Sequence, residues 1–103
     1  MGGGHWHARH RAVEAIHLSC AVAFGDGRTP FRPPVRLSFE PVTGPKRRRL
    51  DLINYAVTAK SIEDAIVRMG LLPDDSFKTV AEIRILAPIR GDSDGMWVTV
   101  EPV

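Results

Sequence analysis

At 103 residues the chain has room for one domain with a modest core, and a formal net charge of +2 is too small to assign a partner by itself. Its single cysteine excludes an internal disulfide and suits a reducing compartment. The apolar runs are far too short to span a bilayer, and the glycines and the His- and Arg-rich segment after Met1 lack a signal-peptide pattern, so a cytoplasmic protein with no membrane partner is expected.

Met1 to Gly4 offers almost nothing to pack and is expected to be disordered. From Ala8 onward, Ala12, Ile16, Cys20 and Ala23, widened by Val13 and Phe24, fall at helical spacing, and Gly25 stands where such a helix would stop. Cys20 on that stripe reads as a core residue. The Gly- and Pro-dense segment from Gly25 to Pro34 predicts a loop. Val35 to Glu40 then alternates, with Val35, Leu37 and Phe39 on one face and Arg36, Ser38 and Glu40 on the other, as a half-buried strand does.

Pro41 to Arg49 reads as a loop. The next helix carries Tyr55, Ala59, Ile62, Ile66 and Met69 on one stripe and stops at Gly70. Its start is open, because Ser61 with Asp64 also has the pattern of a capping box. Thr79 to Leu86 alternates again, Ala87 to Gly95 is rich in turn residues, and Trp97 to Glu101 alternates once more. The predicted order is α-β-α-β-β, an α/β (α+β) domain in which two helices cover a small mixed sheet. All three strands belong to that one sheet, with Ile62, Ile66 and Met69 packed on it.

The chemistry-bearing residues gather between Lys46 and Ser76. Lys46, Arg47, Arg48 and Arg49 form a basic run that reads either as a solvated loop or as a sequence-independent grip on phosphates. Asp51 follows at once, a carboxylate that suits the positive end of a helix dipole or a first metal ligand. Asn54 has the residue type of a helix cap. Lys60 and Asp64 share a helix face, as an ion pair or as parts of a site. Asp74 and Asp75 lie on the turn before a strand, where neighbouring side chains point to opposite faces, so one of them at most is expected to aim at Asp51. His5, His7 and His10 do not complete a zinc site, since no further Cys or His cluster joins them.

Taken in order, the basic run, Asp51, Asn54, Lys60, Asp64, Gly70, Asp74, Asp75 and Ser76 resemble the RusA-type Holliday junction resolvases, closely over Pro45–Glu82 and loosely over Trp6–Phe24. The resemblance implies a Mg²⁺-dependent endonuclease that acts as a homodimer on branched DNA such as four-way junctions. It assigns metal binding to Asp51 and Asp75, with Asp74 or Asp64 replacing a missing carboxylate, and transition-state stabilisation to Lys60. It assigns DNA contact to Lys46, Arg47, Arg48 and Arg49, and to Arg9 and Arg11 of the basic, aromatic segment that opens the chain. This chain departs from the family in three ways. Ile53 stands where the family has its second Asp, the interval from Asn54 to Lys60 is longer, and only Met-Gly-Gly-Gly stands in place of the family's first strand and loop, which implies truncation there. A binding remnant of the same fold without catalysis, or a small protein-interaction domain, is the alternative.

Overall fold

The computed structural model describes residues 4–8 and 29–103, the first stretch by its backbone pairing alone. Strands β1 (Gly4–Ala8), β2 (Val35–Thr43), β3 (Val80–Ile85), β4 (Ile89–Arg90) and β5 (Gly95–Pro102) form one mixed sheet in the order β1-β5-β2-β3, with β4 also paired to β2. β5 runs antiparallel to β1 and β2, whereas β3 and β4 run parallel to β2. A parallel pair needs a crossover. Here a 3-10 segment over Leu52–Tyr55 and helix α1 (Ala56–Arg68) supply it between β2 and β3.

The helix follows from its apolar spacing. Ala59, Ile62, Ala65 and Ile66 are buried, and they meet Leu37 and Phe39 of β2 and Met96, Val98 and Val100 of β5 in one core. Gly70, at φ 78°, ends the helix: its N–H donates to the Val67 carbonyl and that of Leu71 to the Ile66 carbonyl. That pair of hydrogen bonds is the Schellman stop, and glycine takes the left-handed conformation without a Cβ penalty. The start is settled in favour of Ala56, so Ser61 is not a cap; its hydroxyl donates back to the Val57 carbonyl.

The three expected strands lie in one sheet, and Ile62, Ile66 and the partly buried Met69 pack on it. Four local readings need correction. Gly4 is not disordered and Ala8 does not open a helix, because both belong to β1, paired with Val100 and Met96. A strand therefore does precede residue 9, and it forms on the open edge of β5, a non-local pairing that local pattern cannot reveal. The expected helix from Ala12 to Phe24, with Cys20, lies outside the described residues. β2 runs on through Pro41 to Thr43 instead of stopping at Glu40. The carbonyls of Phe39 and Thr43 accept from Leu86 and Gly91, so Pro41, of the same parity, turns its nitrogen towards the break between β3 and β4 where no ladder donor is required. The loop Ala87–Gly95 likewise contains β4.

β3 carries an irregularity that serves the core. Val35 pairs with Val80, but Arg36 pairs with Glu82, so one residue is passed over. Because side chains alternate, the slip puts Val80 and Ile85 on the same face as Val35 and Phe39. On the opposite face, Arg36 bridges Glu82 on β3 (3.4 Å) and Glu101 on β5 (3.3 Å), tying three strands together.

Truncating Ile62 to Ala should lower unfolding stability by about 2–5 kcal/mol. Val57→Ala, on the exposed side of the same helix, should stay within about 0.5 kcal/mol of the parent. Urea denaturation separates the two, and equal losses would contradict the packing described.

Candidate functional site

Lys60 projects from the second turn of α1 into a group of carboxylates. Its ammonium lies 2.5 Å from Asp75 Oδ2, 3.1 Å from Glu63 Oε1 and 3.2 Å from Asp64 Oδ1. Glu63 and Asp64 come from the same helix, one and the next position around it, while Asp75 comes from the turn that leads into β3. Among the described residues, Glu63, Asp64 and Asp75 form the one group of acidic or other metal-ligating side chains whose ligand atoms lie within 4.8 Å of one another.

The electrostatics follow from that geometry. Asp75, bonded to Lys60, is held below the usual carboxylate range. Lys60 is in turn raised, by Asp75 first and then by Glu63 and Asp64. One ammonium against three carboxylates leaves a local charge of +1 − 3 = −2. Asp64 and Asp75 are about half exposed and screened by water, but the Glu63 side chain is only 6% exposed. A buried carboxylate demands a partner, and Lys60 is that partner. Three hard oxygen donors around a cationic centre also suit a small divalent cation such as Mg²⁺, completed by water or phosphate oxygens.

Asp74 is engaged otherwise. Its Oδ1 accepts from the Ser76 N–H (3.0 Å) and the Ser76 hydroxyl (2.8 Å), closing the turn. Bonds from the Thr79 side chain and from Ser76 hold it below the usual carboxylate range. Asp51 precedes the 3-10 segment, where its carbonyl accepts from the Asn54 N–H, and its carboxylate stands outside the acidic group. Neither Asp51 nor Asn54 caps a helix with its side chain; Asn54 lies inside the 3-10 segment and Tyr55 holds the N-cap position of α1. Ile53 is 76% exposed, so its departure from the family pattern sits on the surface and fills no core space.

The basic run begins on a built turn. Gly44 to Arg47 is closed by the bond from the Arg47 N–H to the Gly44 carbonyl (3.1 Å), with Pro45 at the position that favours proline. Arg47 pairs with Asp94 at 2.7 Å and is thereby committed to its own fold. Lys46, Arg48 and Arg49 are exposed, and their side chains have no partner among the described residues. The chain then runs past Leu50, whose N–H donates to the hydroxyl of the buried Tyr55, to reach Asp51. Arg9, Arg11 and His10 lie outside the described residues; His5 and His7 stand on β1 opposite Thr99 and Trp97.

Glu63 is the member of this site that sequence reading misses. It sits one helical turn from both Ala59 and Ile66, on the buried stripe, and a carboxylate in that register was the available signal. No family model and no curated protein matches the chain. No described helix is long and apolar enough to cross a membrane.

The coupling of Asp75 to Lys60 has a definite pH window. Asp75 is lowered from 3.8, so its share of stability is present above that value and is lost as pH falls through the folded-state pKa. Lys60 is raised from 10.5, so its share is present below that value and is lost as pH rises through its folded-state pKa. A carboxyl-carbon NMR titration should place the Asp75 midpoint below 3.8, and in Lys60→Gln the midpoint should move up. An unchanged midpoint in that variant would show that the two groups do not meet in solution.

Proposed function

We propose that the chain is a divergent RusA-like, Mg²⁺-dependent endonuclease that cuts branched DNA as a cytoplasmic homodimer, its sheet covered by a second helix as in that family. The observation that supports this reading most is the meeting of Lys60 and Asp64 of the crossover helix with Asp75 of the turn that leads into β3, joined by Glu63. These are two of the acidic positions and the lysine that the family resemblance singles out, and the chain brings them to one place. The exposed cations Lys46, Arg48 and Arg49 precede them in the chain and would serve as a phosphate grip.

Glu63, Asp64 and Asp75 would hold the cation, and Glu63 takes the role of the carboxylate that Ile53 removes. Bound there, Mg²⁺ would activate a water for in-line attack and neutralise charge on the phosphate. Lys60 then has two partners to choose between. Its ammonium compensates the carboxylates in the free protein, and with a divalent cation held there it would be free to oppose the charge developing on the oxygens of a scissile phosphate. Asp51, which precedes the 3-10 segment and stands outside the acidic group, would act on the same cation only through water. Asp74 holds the turn that presents Asp75.

The second reading is a nucleic-acid-binding remnant of the same fold, and exposed Ile53 favours it, since a surface carboxylate has been lost without structural gain. Cleavage of a synthetic four-way junction with Mg²⁺, run beside linear duplex, decides between them. The nuclease reading expects junction cutting by the parent chain, none by Asp75→Asn, and junction binding by both. Ile53→Asp should raise the cutting rate, since it restores a carboxylate where the resemblance has one. Binding without cutting in the parent and in Ile53→Asp would leave the remnant, and no binding at all would leave neither.

Replacing Arg48 and Arg49 together with Ala should weaken binding at every sequence and lower the slope of log affinity against log salt by about two. An unchanged slope would make this run a solvated loop.

A further inference from the structure

The basic turn is held by two residues from a distant loop. Asp94 Oδ1 accepts from the Gly44 N–H at 2.7 Å, and its Oδ2 pairs with Arg47 Nε at 2.7 Å. From the other side, Arg90 Nη1 donates to the Gly44 carbonyl at 2.8 Å and to the Arg47 carbonyl at 2.5 Å. Both ends of the Gly44–Arg47 turn are therefore gripped, each by one anion and one cation. The gripping residues are themselves fixed. Arg90 is registered opposite Thr43 in the β2–β4 ladder, and the next N–H, that of Gly91, donates to the Thr43 carbonyl. A Cβ on Gly91 would lie 2.5 Å from Val42 Cγ1, and one on Gly44 would lie 3.2 Å from Asp94 Oδ1, so both glycines permit the close approach.

The charge arrangement is the reason to look for a function here. A carboxylate inside a patch meant for phosphates repels the ligand, and Asp94 also neutralises one of the patch's own arginines. Charge alone would dispense with Asp94. Shape explains it, because a loop already held in its binding form loses less freedom when the ligand arrives. We infer that Asp94 and Arg90 are positioning residues that clamp the Gly44–Arg47 turn, so that Lys46, Arg48 and Arg49 meet a nucleic-acid backbone in one fixed arrangement. This rests on the nucleic-acid reading proposed above and adds to it the residues that set the geometry of the grip.

Asp92 supplies the control. It is an exposed carboxylate on the same loop with no partner among the described residues, so Asp92→Asn removes the same charge without touching the turn. The full chain and its variants are titrated against a labelled four-way junction by fluorescence anisotropy over a range of salt, with thermal unfolding followed in parallel. Asp92→Asn should bind as tightly as the parent or more tightly, as added positive charge requires. Asp94→Asn adds the same positive charge and should nevertheless bind about fivefold more weakly, as loss of preorganisation requires. Its salt slope should not decrease, because no phosphate contact is removed. Arg90→Lys keeps its charge but not the reach to two carbonyls, and should weaken binding in the same way; it decides the matter if Asp94→Asn fails to fold. If folded Asp94→Asn, or Arg90→Lys in its place, binds as well as the parent, the clamp inference is wrong while the nucleic-acid reading stands. If the parent chain shows no salt-dependent binding, the reading and the inference fall together.

Discussion

Strand β2 carries a double requirement on which the rest of the structure depends. It is paired along both edges, with β5 on one side and with β3 and then β4 on the other, while Leu37 and Phe39 must be kept wholly from water. Two parallel neighbours force a crossover, and α1 meets both needs at once by connecting the strands and covering the apolar face. A crossover helix between parallel strands runs back against them. After the helix stops at Gly70 the chain doubles back before entering β3, and the returning segment brings Asp75 against Lys60 in the second turn of α1. The basic turn has the same origin, since it is where β2 ends beside β4.

Half-exposed ion pairs add little to folding, yet here three carboxylates crowd around one ammonium. The buried one, Glu63, ties Lys60 to the helix and sets where the exposed pair must meet it. A surplus of negative charge around a single ammonium is an uneasy arrangement for a folded chain. It is an arrangement that the proposed binding of a divalent cation would relieve.

Much of this was legible in the sequence because it is periodic or steric. The alternation of Val35, Leu37 and Phe39, the stripe of Ile62 and Ile66, and the stop at Gly70 each report a local geometry that the core then rewards. The pairing of Lys60 with Asp64 follows from helix spacing, and its closure onto Asp75 follows from the turn after Gly70. What local pattern does not contain is partnership at a distance. β1 exists because β5 offers it an edge, Pro41 remains in a strand because β3 ends before β4 begins, and Arg47 is committed because Asp94 reaches it from another loop. Glu63 was hidden for the opposite reason: hydrophobic periodicity is read from apolar residues, and a carboxylate on the same stripe drops out of the pattern.

In the proposed function Glu63, Asp64 and Asp75 hold a divalent cation in place of the Lys60 ammonium. A Mg²⁺ titration followed by carboxyl-carbon and lysine-side-chain NMR tests it most directly. Saturable shifts should appear at those three carboxylates together with a shift at Lys60 as its ammonium leaves them, with no comparable change at Glu82 or Glu101, which are paired with arginines on the other face of the sheet. Shifts that are equal at all exposed carboxylates and never saturate, with Lys60 unmoved, would contradict it.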